Sequence, residues 1–196
     1  GMSMKIITIS REYGAGGHTI GRSVAEKLGI EIYDKDIITE TAKTSGIDID
    51  YIAETEETLT RGESFLRRIT PISYEQKDMI FEVEKEVILK LASAGPCIVL
   101  GRCADVILRE AGYDTLNVFL YASEEDRYER VGQLINSFNT AEIAKAIKRV
   151  DYSRHAYYKY FTDKQWGKCE NYDLMLNTAA LGTDLCVELI CKAVQQ

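Results

Sequence analysis

Two prolines, Pro71 and Pro96, are all that 196 residues contain, and no Pro- or Gly/Ser-rich stretch divides the chain. That excludes a flexible tether between domains and predicts one domain over residues 1–196. Long apolar runs are missing too. No segment approaches the roughly 20 apolar residues of a membrane helix, and Met4-Lys5-Ile6-Ile7-Thr8-Ile9-Ser10 turns polar too soon for a secretory signal. Histidine is scarce, at two residues, and the five cysteines (Cys97, Cys103, Cys169, Cys186, Cys191) form no CxxC pair and no His-bearing metal spacing. An odd, scattered set of this kind predicts reduced thiols in a cytoplasmic protein, with Cys186 and Cys191 as core residues of a helix. No excess of positive charge exists: 24 Lys+Arg stand against 31 Asp+Glu, a net −7. An acidic chain argues against binding a nucleic-acid polymer, whose phosphates call for a basic surface.

What the chain does contain is an alternation of short apolar runs and helical patterns. Lys5–Ser10, Cys97–Leu100, Leu116–Ala122 and Asp173–Asn177 read as strands, and Glu31–Tyr33 as a shorter one. Nearly continuous apolar, β-branched runs are expected of strands buried on both faces of a parallel sheet. Between them, Ile20, Val24, Ala25 and Leu28 line one face of a helix closed by Gly29. Met79, Ile80, Val83, Val87 and Leu91 keep the same period until Gly95-Pro96. Ser123 followed by three acids is a capped helix start. Further helices are expected over 37–68 (broken near Gly46, Gly62 and Pro71), over about 141–160, and after Thr183 through Leu185, Leu189 and Ile190. The pattern predicts an α/β fold, a five-stranded parallel sheet with helices on both faces.

The first strand runs into Gly14-Ala15-Gly16-Gly17 and then directly into a helix. Backbone N–H groups of such a turn and the helix N-terminus converge on an anion, and glycine admits the ligand closely. Three readings compete. A tight strand-to-helix turn needs no ligand. A dinucleotide GxGxxG loop fits Gly14 and Gly16, with Asp34 or Asp36 placed for a ribose, but meets Thr19 where the third glycine belongs. A GxxxxGK[ST] phosphate loop fits Gly16 but meets Arg11 at its first glycine and Gly17 at its lysine, with the Thr19 hydroxyl one place late.

Several stretches together resemble the cytidylate kinase-like branch of the P-loop nucleoside monophosphate kinases. They are Ile9-Ser10-Arg11-Glu12 with the lysine-free glycine loop, Ala25–Gly29 with Tyr33-Asp34, and Gly101-Arg102 at a strand end. Val118–Ser123 through Arg127 and Arg130 continues the likeness, as do Arg149, Asp151 and Arg154, and Tyr172–Thr178. The resemblance fades over residues 45–80. It implies a three-layer P-loop fold with a helical acceptor-side insertion at 37–74 and a lid at 145–170. It also implies transfer of the ATP γ-phosphoryl group, with Mg²⁺, to a nucleoside monophosphate, cytidylate foremost. Gly14, Ala15, Gly16, Gly17, His18 and Thr19 would cradle the donor phosphates, with Thr19 reaching Mg²⁺. Arg11, Arg102, Arg149 and Arg154 would supply catalytic positive charge, Arg102 on the acceptor phosphate, while Asp34 and Asp36 meet the acceptor's base or ribose.

Each role has a plainer counterpart: Thr19, Asp34 and Asp36 as helix caps, Arg102 in a structural ion pair, the lysines of 145–168 on a solvated face. That segment holds seven cations and two acids, +5 within a chain of −7. Residues 34–57, by contrast, hold eight acids and two lysines, which suits a base or ribose better than a phosphate. Tyr157, Tyr158, Tyr160, Phe161 and Trp166 would stack on a base, pack the lid against its neighbour, or face a second subunit in a homo-oligomer. A kinase for another small acceptor, or a nucleotide-binding regulator with a degenerate loop, are the alternative functions. Small-molecule nucleotides are the expected partners in each case.

Overall fold

The computed structural model describes residues 5–43, 74–101 and 103–196. Most of the 37–74 insertion, with Gly46, Gly62 and Pro71, lies outside the described residues, as does Arg102. Five strands, β1 (Ile6–Arg11), β2 (Glu31–Tyr33), β3 (Cys97–Leu100), β4 (Thr115–Tyr121) and β5 (Leu174–Asn177), form one sheet in the order β2-β3-β1-β4-β5. Every pairing is parallel. The predicted α/β parallel sheet is therefore observed.

Burial on both faces explains the unbroken apolar runs. Ile7 and Ile9 of β1, Ile98 and Leu100 of β3 and Leu116, Val118 and Leu120 of β4 face one core. That core is completed by Ile20, Val24 and Ala25 of α1 (Gly17–Leu28) and by Cys186, Val187 and Ile190 of the C-terminal helix. The alternate residues Ile6, Cys97 and Val99 face a second core with α2 (Lys35–Lys43), α3 (Tyr74–Ser93) and α4 (Ala104–Glu110). In register on β1 and β4, the Thr8 hydroxyl donates to Asn117 Oδ1 at 2.8 Å. This satisfies two polar groups that the sheet buries.

Two further helices follow β4. In α5 (Glu124–Ile135), Ser123 Oγ accepts the Asp126 N–H at 3.1 Å, the cap its sequence predicts. α6 runs unbroken over Thr140–Thr162, capped by Asn139, and carries most of the 145–170 segment. A short α7 (Thr178–Leu181) and then α8 (Thr183–Val194) close the described fold.

The helical faces differ from expectation in detail. On α3 the buried row is Ile80, Glu84, Val87, Ile88 and Ala92, an i, i+4, i+7, i+8, i+12 stripe that leaves Met79 half exposed. On α8, Gly182 with φ +83 precedes the helix and Thr183 is its first residue; Leu185 points outward while Cys186 and Val187 turn inward. Cys186 is a core residue as predicted, and Cys191 is partly buried against that core.

The aromatic segment packs inward on its own chain. Phe161 stacks on Phe81 with centroids 4.1 Å apart and planes 10° from parallel, and Trp166 meets Phe119 edge-on at 5.1 Å. The Tyr157, Tyr158 and Tyr160 hydroxyls donate to Glu84, Asp105 and Asp78 at 3.0, 2.8 and 3.0 Å. These contacts clamp the second half of α6 onto α3 and α4.

Candidate active site

Parallel sheets bind ligands outside the carboxyl ends of their strands. Here β1 ends at Arg11, and residues 12–16 lead straight into α1. The turn is closed by the Ala15 N–H on the Glu12 carbonyl at 3.1 Å, and the Glu12 N–H is held by the Leu120 carbonyl at 2.9 Å. Gly14 and Gly16 take φ values of +84° and +91°, backbone that only glycine adopts without strain. Space matters as much as conformation. A Cβ on Gly14 would stand 2.6 Å from Val131 Cγ2, and one on Gly17 2.8 Å from both Cγ and Cδ of Arg11.

Helix α1 starts with no side-chain cap and no acid in its first turn. Gly16 is the N-cap, so Thr19 sits inside the helix rather than capping it. Among the described residues the N–H groups of Gly17, His18 and Thr19 have no acceptor. An uncapped N-terminus with converging amides, facing a cleft, is set to receive an anion.

That cleft, about 1550 Å³, is bordered by Arg11, the glycine loop, His18 and Thr19, and also by Asp34, Asp36, Arg149 and Arg154. The fold therefore gathers at one opening every described residue that the sequence points to, save the buried Ala15. Arg11 also borders a water-sized cavity of about 10 Å³ between the ends of β1 and β3, shared with Ser10, Gly101, Cys103 and Trp166. The Arg11 side chain lies against Gly17 on one side, and a Cβ on Gly101 would be 3.2 Å from its Nη1 on the other.

Asp34 precedes α2 and accepts the Ile37 N–H at 3.1 Å, a capping bond, while its second oxygen lies 4.0 Å from His18 Nδ1. Burial and the nearby Arg11 hold the His18 imidazole below its ordinary pKa, against the pull of Asp34. This favours the neutral imidazole, a hydrogen-bonding group.

The two arginines of the 145–170 segment differ. Arg149 is exposed on the cleft wall. Arg154 is buried, donates to the Arg11 carbonyl at 2.6 Å, and lies 5.8 Å from the centre of the Tyr13 ring.

A second set of residues braces the loop from behind. Arg127 on α5 is 5% exposed and donates to Asp151 Oδ2 at 2.8 Å, to the Tyr13 carbonyl at 2.9 Å and to the Ala122 carbonyl at 3.1 Å. Its other nitrogen is 3.7 Å from Glu12, whose carboxylate accepts the Ala122 N–H at 3.2 Å. Burial pushes the Glu12 carboxyl above its ordinary range, opposed by Arg127 and assisted by Asp151. Arg127 and Asp151 entered the sequence analysis only through family likeness. Their spacing offers no signal, since each acts on backbone more than a hundred residues away. One turn on, Arg130 comes down on the other side of the loop, its Cζ 3.1 Å from where a Cβ of Gly16 would stand.

Among the described residues no three His, Cys, Asp or Glu side chains gather as metal ligands. Nor is any described helix long and apolar enough to cross a membrane.

Comparison with known proteins agrees with this geometry. Over 192 residues the chain is 26% identical to a cytidylate kinase of Archaeoglobus fulgidus, covering 96% of this chain and 94% of that one. It is 34% identical over 128 residues to a shikimate kinase of Caldicellulosiruptor bescii, covering 65% and 64% of the two chains. In fold it is similar to an uncharacterized protein of Eubacterium ventriosum, with TM-score 0.75, 21% identity and coverage of 98% and 99%. It is also similar to shikimate kinase of Bacteroides thetaiotaomicron, with TM-score 0.60, 15% identity and coverage of 99% and 100%. These neighbours share the α/β fold of the chain. The family model for cytidylate kinase-like proteins matches residues 6–180, and the chain belongs to that family of phosphotransferases.

Proposed function

We propose that this protein transfers the γ-phosphoryl group of ATP to a nucleoside monophosphate, with cytidylate as the acceptor. The observation that carries this reading is the uncapped N-terminus of α1, opening with its glycine loop into a cleft that Arg11 and Arg149 border. Phosphoryl transfer demands positioning and fixed positive charge more than covalent chemistry. The amides from Gly14 to Thr19 would hold the β- and γ-phosphates of the donor. The Thr19 hydroxyl would hold Mg²⁺, which would supply positive charge against the donor phosphates. Arg11, whose side chain fills the space a loop lysine would occupy, would supply the charge that Gly17 cannot. Arg102, next to Gly101 in the sequence, would bind the acceptor phosphate. Asp34 and Asp36, across the cleft, would accept hydrogen bonds from a base amino group or a ribose hydroxyl. Arg149 and Arg154, on the lid segment 145–170, would stabilise the charge spread over the transferring group.

A second acceptor class has an observation of its own, the 34% identity to a shikimate kinase across 65% of the chain. One assay separates the readings. Coupled ADP release is followed with ATP, Mg²⁺ and, in turn, CMP, UMP, AMP, GMP and shikimate. The proposal expects ADP with CMP and none without acceptor. ADP with shikimate alone reassigns the acceptor. Measurable ATP binding with no ADP from any acceptor overturns the kinase reading in favour of a nucleotide-binding regulator.

A further inference from the structure

Helix α5 carries two arginines three residues apart, on neighbouring positions of one face, and the structure treats them in opposite ways. Arg127 is surrounded by Asp151, Glu12 and the Ala122, Ser123 and Tyr13 carbonyls. Arg130 has no hydrogen-bond or carboxylate partner among the described residues. Its guanidinium lies instead against Gly16, with Cζ 3.1 Å and Nη2 3.4 Å from the point where a Cβ would stand, and Nη1 closer still. It is partly buried and borders the cleft.

We propose that Arg130 is a phosphate-binding residue of the donor site, replacing from outside the loop the lysine that the loop lacks. The inference rests on the reading that the glycine loop holds the ATP phosphates. A partly buried cation with no counter-charge among the described residues favours an anionic ligand, and here it lies against Gly16, beside the N–H groups that have no acceptor. The favourable partner for that arrangement is an anion lying between them. Gly16 therefore has two duties, to take φ +91° and to leave room for a planar guanidinium over the loop. A guanidinium offers two parallel N–H groups to two phosphate oxygens, where a lysine offers one point charge. Arg11 flanks the loop at Gly17 and Arg130 flanks it at Gly16, so the donor phosphates lie between two cations, neither of them in the glycine loop.

The test is equilibrium binding of ATP and of inorganic tripolyphosphate to wild-type protein and to Arg130→Ala and Arg130→Lys, with melting temperatures recorded alongside. The expected result is a loss of about 10- to 100-fold for both probes in Arg130→Ala, in line with one charge-assisted bond to phosphate. Arg130→Lys recovers part of it, and the melting temperature stays put. Unchanged affinity overturns the inference, and so does a loss confined to ATP, which would mean that Arg130 reads the base. Equal losses in both variants together with a lowered melting temperature also overturn it, by assigning the residue a structural role. If wild-type protein binds neither probe, the donor-site reading itself fails, an outcome distinct from the other three.

Discussion

Asp151, in the middle of α6, accepts the backbone N–H of Tyr13 at 2.8 Å across 138 residues of chain. The same carboxylate accepts from Arg127, which in turn donates to the Tyr13 carbonyl. Tyr13, at the head of the glycine loop, is therefore held through both its N–H and its carbonyl, by an acid from α6 and a base from α5. Arg154, nearly one turn further along α6, adds the Arg11 carbonyl. The loop is braced by helices that follow it by more than a hundred residues.

Removing that grip should loosen the loop and leave Arg127 short of its closest counter-charge. Arg127 is almost fully buried, and Glu12 at 3.7 Å compensates it only in part. Asp151→Ala is expected to lower unfolding free energy by about 2–3 kcal/mol. Asp151→Asn keeps an acceptor for the Tyr13 N–H and should lose roughly half as much. Urea denaturation of both variants measures this, and equal stabilities for all three proteins would refute the bracing role.

The glycines make a controlled comparison. Gly14, Gly16 and Gly29 all have positive φ, but Gly29 meets nothing within 4 Å whereas Gly14 faces Val131 and Gly16 faces Arg130. Alanine at Gly29 is expected to cost about 1 kcal/mol from backbone strain alone and to leave ATP binding intact. Alanine at Gly14 should cost more stability, about 2–3 kcal/mol, since the added methyl also displaces a core valine. Alanine at Gly16 should cut ATP affinity most for its loss in stability, because it pushes aside a guanidinium at the surface of the cleft. Melting curves with ATP titrations on the three variants check the ranking.

Local physics made much of this legible in the sequence. Strands buried on both faces give apolar runs, so β1, β3 and β4 could be placed within a residue or two. A glycine loop between strand and helix has few other uses, and Ser123 before three acids announces a helix start. The connections that shape the site were not legible. Nothing near Asp151 in sequence indicates that it holds Tyr13, or that Arg154, besides bordering the cleft, donates to the Arg11 carbonyl. On α3, Met79 and Glu84 break the hydrophobic rule in opposite directions, because Tyr157 arrives from α6 to hydrogen-bond the buried acid. Long-range pairing leaves no periodic trace.

Asp105 supplies a pH prediction. The residue is buried, Oδ2 accepts from Tyr158 at 2.8 Å, Oδ1 has no partner among the described residues, and Arg109 stands at 3.8 Å. Burial outweighs these partners and raises its pKa above the ordinary carboxylate value. With the folded pKa above the unfolded one, the native state keeps its proton longer. Stability from this group is thus full below the unfolded pKa near 4 and declines as pH rises toward the folded value. Asp105→Asn cannot ionise and is expected to flatten that decline, gaining about 1 kcal/mol relative to wild type at pH 8 and little at pH 4. Melting temperatures of both proteins from pH 4 to 8 decide it; parallel curves would count against the assignment.

The last prediction concerns Arg11 and the lysine that position 17 lacks. Gly17 has an ordinary φ, so backbone strain does not forbid a side chain there. What forbids it is Arg11, whose Cγ and Cδ stand 2.8 Å from the place a Cβ would take. The two residues occupy one space, so only one cation fits at that point of the loop. Arg11→Ala is expected to lower kcat/KM by about 100-fold, the scale of one removed transition-state charge contact. Gly17→Lys alone should also impair activity, by forcing two cations into that space. In the double variant Arg11→Ala with Gly17→Lys the vacated room receives the lysine, and activity should rise well above that of Arg11→Ala. Such a rescue cannot come from two independent defects, which would multiply. An Arg11→Ala variant as active as wild type would instead remove Arg11 from the reaction altogether.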